Sequence, residues 1–252
     1  GTSIMAIIDK PSDYFNTKLY TGNSSNNRTI SGFGFDPDFV WVKCRTSAFS
    51  HTLADIVRGT NANLFANETS AEINPTTDIG RGGIGQVTTD GFIAVQGTSS
   101  MDNTNTSGQN YVSWGWNAGG TASSNTDGSI TSSVSANTTS GFSICTFTDV
   151  ATSGNQTFGH GLGTTPSMVI VKRRNTSDFW WVWHKDLSSD TGHYLKLNES
   201  SAEISASGTW GAGINATTVG LRGASFSAAT SNTFVAYCFA EKQGYSKFGS
   251  YV

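Results

Sequence analysis

The sequence predicts an all-β protein made of two homologous tandem β-sandwich units of the jelly-roll or lectin-like kind. Three observations carry that expectation. One phrase occurs twice: GFGFDPDFVWVKCR (residues 32–45) returns as GLGTTPSMVIVKRR (residues 161–174), with glycines, proline, apolar run and terminal basic residues at a constant offset. Within both copies the apolar residues follow the two-residue period or the short continuous run of strands, not the 3.6-residue period of a helix. Finally, 29 Gly against 4 Pro, with abundant Ser, Thr and Asn and only 13% charged residues, favours turns and strands over charged amphipathic helices.

Residues 1–14 read as an N-terminal arm in which GTSI is a leftover leader ahead of a natural start at Met5. The first unit spans residues 15–118. It opens with FNTKLYTGN (15–23), the counterpart of FSICTFTDV (142–150). In the repeated phrase, Gly32 and Gly34, like Gly161 and Gly163, suit a tight turn because glycine reaches positive φ without a steric penalty. Pro37 and Pro166 stand at the strand entrance, where a missing N–H costs little. ANLFAN (62–67) and HYLKLN (193–198) form the next matched strands. NETSAEI (67–73) and NESSAEI (198–204) carry the S/T-x-x-E spacing of a capping box, which predicts a short helical turn at each. YVSWGWNA (111–118) closes the first unit as FVAYCFAE (234–241) closes the second. Residues 119–141 are Gly-, Ser- and Thr-rich and read as a linker holding one edge strand. The second unit, with a C-terminal strand, spans 142–252; GYSKFGSYV (244–252) echoes GFSICTF (141–147), as if a third unit were beginning.

A net charge of −3 and a pI of about 5.7, with scattered basic residues, argue against nucleic acid or anionic membrane surfaces as partners. No apolar run approaches the roughly 20 residues of a membrane helix, so membrane insertion is not expected. Cys44, Cys145 and Cys238 are isolated in apolar runs and read as buried free thiols.

The chemical motifs are weak. GHGLGTT (159–165) lacks the Lys-Ser/Thr ending of a phosphate loop and reads as a turn. His51, His160, His184 and His193 show no metal-ligand spacing, and there is neither a GxSxG elbow nor a prominent carboxylate pair. The expectation is a non-enzyme with no cofactor and no metal. The best binding candidate is FWWVWHK (179–185), where Trp181 and Trp183 share one face and read as core. Trp180 and His184 take the other face and are expected at a surface or a domain contact. The loop SSMDNTNTSGQN (99–110) adds Asn103, Asn105 and Asn110 as adaptable hydrogen-bonding groups, so these five residues form the candidate glycan or interface set.

FNTKLYTGN, GFGFDPDFVWVKCR, the stretch YVSWGWNAGGTASSNTDGSITSSVSANTTSGFSI and FVAYCFAEKQGYSKFGSY together resemble a family of uncharacterised repeat domains found in structural proteins of tailed bacteriophages, especially marine ones, tail-fibre-like proteins included. The resemblance runs from Asp9 to Tyr251 and brings no catalytic residues with it. It implies a virion protein, made in the host cytoplasm and extracellular after lysis, in a fibre or appendage that meets the host envelope. The expected partners are further copies of the chain, other virion proteins and a host cell-surface glycan. A stand-alone lectin-like module and a purely structural decoration or spacer are the alternative readings.

Overall fold

The computed structural model describes residues 8–78, 80–98, 103–150, 154–226 and 231–251. Residues 1–7, GTSI and Met5 among them, residues 99–102 of the asparagine-rich loop and Val252 lie outside the described residues. The described chain is all-β and its paired strands are antiparallel.

The first half forms β1 (Phe15–Thr21), β2 (Arg28–Ser31), β3 (Phe39–Cys44), β4 (Thr52–Asp55), β5 (Leu64–Phe65), β6 (Gly83–Thr88), β7 (Gly91–Val95) and β8 (Asn110–Trp116). These make a five-stranded sheet in the order β1-β8-β3-β4-β5 and a three-stranded sheet in the order β2-β7-β6. The second half forms β9 (Ser123–Asn125), β10 (Ser132–Asn137), β11 (Phe142–Thr148), β12 (Asn155–Gly159), β13 (Met168–Arg173), β14 (Trp181–His184), β15 (His193–Lys196), β16 (Ile204–Ser205), β17 (Thr218–Arg222) and β18 (Thr233–Phe239). Its large sheet runs β16-β15-β14-β13-β18-β11-β10-β9, and β12 pairs with β17 in a small second sheet. The run β11-β18-β13-β14-β15 puts strands from the matched phrases in the same places as β1-β8-β3-β4-β5.

Strand alternation divides the core into three apolar layers. On β3, Val40, Val42 and Cys44 face the small sheet of the first half, together with Ile30, Phe92 and Tyr111. On β13 and β14, Val169, Val171, Trp181 and Trp183 face the small sheet of the second half, with Phe158, Trp210 and Leu221. The remaining faces of the two large sheets meet each other: Phe39 and Leu53 pack with Phe142, Ile170, Trp180, Val182 and Tyr237. The rings of Phe39 and Tyr237 lie 4.4 Å apart and those of Phe39 and Phe142 5.9 Å apart. Such ring pairs add about 0.5–1.5 kcal/mol each to the gain from area burial. This shared middle layer joins the two halves.

The repeated glycine pair behaves as its spacing predicts, with φ of 96° and 81° at Gly32 and Gly34 and of 71° and 67° at Gly161 and Gly163. Three expectations need correction. Residues 119–141 are not a linker with a single edge strand: β9 and β10 extend the large sheet past β11, and Ile130 and Val134 enter the outer core of the second half. The small side chains allow this close pairing, and Ser135 Oγ donates to the carbonyls of Ala118 and Gly120 at 3.0 and 2.5 Å. Neither capping box forms a helical turn, because both acids are drawn to distant partners. Glu72 binds Arg58 and Arg174, while Glu203 accepts from Ser188. After β18, residues 240–251 form turns and one isolated bridge between Lys242 and Ser246, with no further strand.

Candidate functional site at the seam between the large sheets

The seam has a polar end, an aromatic pocket and a polar groove. At the polar end, the turn after β4 buries Arg58 completely, and each of the five guanidinium N–H groups finds an acceptor. Nε donates to Asp55 Oδ2 at 2.5 Å; Nη1 donates to Ala62 O and Glu72 Oε2, both at 3.0 Å; Nη2 donates to Leu53 O at 3.1 Å and to the Tyr237 hydroxyl at 3.2 Å. Tyr237, from β18 of the other half, donates a hydrogen bond from its hydroxyl to Asp55 Oδ2 at 2.8 Å. Burial alone would pull the Arg58 guanidinium down, but Asp55, Tyr237 and Glu72 outweigh it and hold the group above its ordinary value. Glu72 is bound in a bidentate pair by Arg174 at 3.0 and 2.8 Å, also across the seam. Burial pushes this carboxylate up, yet the Arg174 hydrogen bond and the Arg58 and Arg174 charges leave it below the usual range. Lys172, fully buried, donates to Thr69 O at 3.2 Å and to Arg173 O at 2.9 Å, and burial lowers its ammonium to about 8.

Along the middle layer, the two large sheets leave a pocket of about 370 Å³. Its walls are aromatic and aliphatic: Phe15, Phe39 and Trp116 from one side, Phe142, Trp180 and Phe239 from the other, with Tyr245 and Phe248 of the C-terminal segment at its rim. A neighbouring groove of about 380 Å³ runs along Trp41, His51, Asn67, Asn198, Glu199 and Ser200. Trp41 and Leu197 line both spaces. Asn67 and Asn198 open the two matched NE-S-AEI phrases, so the groove takes corresponding residues from both halves.

The structure distributes the five expected site residues. Trp180 takes the second of its two expected places, the contact between the halves, and not a surface: it is fully buried there, with Nε1 donating to Phe65 O at 2.9 Å. His184 is partly buried beyond the pocket rim, its ring 6.3 Å from that of Phe248 and its Nδ1 accepting from Asp186 N at 3.2 Å. Asn103 and Asn105 are not open loop contacts either. Asn103 is buried with Oδ1 accepting from Ser50 N, and Asn105 clamps the 22–28 region by bonding Asn23 N, Arg28 and Ser25 O. Asn110 is exposed at the start of β8, and its Oδ1 accepts from Thr21 Oγ1 on β1 at 3.0 Å. Asn103 and Asn105 turn inward because backbone groups of neighbouring segments, Ser50 N, Asn23 N and Ser25 O, find their partners in these side chains. Only Trp180 of the five lies on the seam pocket.

Sequence reasoning missed Asp55, Arg58, Glu72 and Trp41. A signal for the first two existed: LADIVR (53–58) puts an acid and a base three residues apart in an apolar run of a sparsely charged chain. Trp41 gave none, since its strand reads as buried on either face.

A family model described as a domain of unknown function (DUF7483) matches residues 10–252. The chain belongs to this family. No curated protein and no solved structure matches it. Membership therefore covers both halves and the seam as one stretch of sequence, and the chemistry of the seam rests on its residues. Among the described residues, no cluster of His, Cys, Asp and Glu could hold a metal ion, and no helix is long and apolar enough to cross a membrane.

Proposed function

We propose that the chain is a non-enzymatic structural module of a phage virion, part of a tail fibre or similar appendage, that takes part in attachment to the host surface. Within that reading the two halves are duplicated, lectin-like β-sandwiches, and the module works as a homo-oligomer among other virion proteins. The observation that carries it is the seam: the large sheets share an aromatic layer, and Arg58, Tyr237, Glu72 and Arg174 tie its polar end. Joining the halves through a packed core suits a part that transmits load, where a flexible linker would let the units swing. The resemblance of the matched phrases to phage structural repeats supports the same reading.

The test is binding of the purified chain to intact bacterial cells, marine species included, with its mass in solution measured alongside. Selective binding by an oligomer supports attachment. A well-folded sample that binds no cells would leave a spacer or decoration instead, and cleavage of surface polysaccharide would overturn the non-enzymatic reading. A second reading, a glycan-binding module, is favoured by the polar groove beside Trp41; saturable binding by a monomer on a glycan array would select it.

A further inference from the structure

The aromatic pocket and the polar groove share Trp41 and Leu197 in their walls, so one molecule lying across those two residues would have an apolar end in the pocket and a polar end in the groove. The chemistry of the groove narrows what that polar end is. Trp41 Nε1 donates to His51 Nδ1 at 3.0 Å, which leaves Nδ1 without a proton. Burial, and then the charge of Lys43, lower the His51 imidazole below its ordinary value. The neutral ring therefore carries its proton on Nε2, a donor with no partner among the described residues. Asn198 Oδ1 accepts from Trp180 N at 2.9 Å, which leaves its amide N–H groups to serve the groove. Glu199, the acid of the groove, is held by Lys196, with Nζ 3.1 Å from both carboxylate oxygens. The groove thus offers neutral donors and acceptors next to a partly exposed indole face, and its one acid is balanced. That set suits hydroxyl groups on a compact uncharged ring better than a phosphate or carboxylate.

We propose that the seam binds an uncharged amphiphile of the glycolipid class, with the hydrocarbon chain in the aromatic pocket and the sugar in the groove of His51, Asn67 and Asn198. The inference goes beyond the appendage reading and does not depend on it. Cell attachment by other surfaces would survive its failure, and amphiphile binding would survive the failure of cell attachment.

The test is calorimetric titration of the full chain with hexyl, heptyl and octyl β-glucoside below their micelle concentrations, against methyl β-glucoside and 1-octanol. Saturable one-to-one binding is expected, tightening about fourfold per added methylene, the factor for moving one CH₂ out of water. Octyl glucoside should exceed 1-octanol by about tenfold, the worth of one or two net hydrogen bonds. Leu197→Asp places a charge between the two spaces and should abolish the chain-length dependence; Leu197 is already 37% exposed, and an unchanged far-UV circular dichroism spectrum checks that the variant folds. His51→Ala should bring octyl glucoside down to the level of 1-octanol, and His51→Met, whose thioether can still accept from Trp41 but donates nothing, serves the same purpose if loss of the Trp41 partner unfolds the alanine variant. Three results would overturn the proposal: methyl glucoside binding as tightly as octyl glucoside, chain-length dependence persisting in Leu197→Asp, or no saturable binding of any glucoside.

Discussion

Replacing Arg58 with Met tests whether the polar end of the seam holds the two halves together. The substitution nearly keeps the volume but leaves the Asp55 carboxylate, itself fully buried, without its cation. Asp55 would retain the Val57 and Arg58 backbone N–H groups at 3.0 and 2.8 Å and the Tyr237 hydroxyl. Those dipoles do not replace a full charge at 2.5 Å. Breaking one side of a buried ion pair costs about 3–5 kcal/mol, a large share of the roughly 5–15 kcal/mol that holds a domain folded. Tyr237→Phe is the milder companion. It removes one acceptor from Arg58 and one donor from Asp55, for an expected loss of about 1–3 kcal/mol. A double variant, Asp55→Asn with Arg58→Met, removes both charges and should recover part of the loss. The assay is urea unfolding followed in parallel by tryptophan fluorescence and far-UV circular dichroism, extrapolated linearly to water. The wild-type curves should coincide, because the shared aromatic layer makes the halves unfold together. A loss under about 1 kcal/mol for Arg58→Met, or a double variant less stable than the sum of the single losses, would refute the reasoning.

Trp180→Ala should destabilise by about 3–5 kcal/mol, as expected for a large side chain removed from a packed interior, instead of acting as a silent surface change; thermal melting reads it directly. Acid should weaken the seam through Glu72. Its folded pKa lies below the unfolded value of about 4.3, so its contribution is complete above that value and is lost as pH falls through the folded one. Between pH 5 and pH 3, Glu72→Gln should therefore lose less stability than wild type, and equal losses would remove Glu72 from the account. A Cβ at Gly91 would stand 1.9 Å from the Ile30 carbonyl oxygen, where backbone and not a flexible side chain must yield. Gly91→Ala should cost about 1–3 kcal/mol by chemical denaturation. The three thiols, all buried, should resist a thiol reagent in native buffer and react together once denaturant opens the fold.

Much of the fold was legible because strands write their alternation locally. The apolar runs gave β3, β13 and β14, and the positive φ of Gly32, Gly34, Gly161 and Gly163 followed from their place before Pro37 and Pro166. Trp181 and Trp183 lie in the outer core of the second half, on the face their spacing assigned to them. The strand assigned to residues 119–141 fell short by one, since a Ser- and Thr-rich run carries too little apolar alternation to show that β9 and β10 pair onto β11.

The sequence by itself determined the strand content, the turn glycines and the buried thiols, which depend on neighbours a few residues away, and the matched order of phrases, which is read by setting one half against the other. Only the tertiary structure decided which faces meet. Both faces of β3 and of β13 are apolar, so their pattern is the same whether the second face covers a partner sheet, a ligand or solvent-facing loops. The roles of Asn103, Asn105 and Glu72 were likewise out of reach. A polar side chain is bound or free according to what the fold brings within 3 Å of it; for Glu72 that is Arg174, 102 positions along the chain, a partner that no local spacing announces.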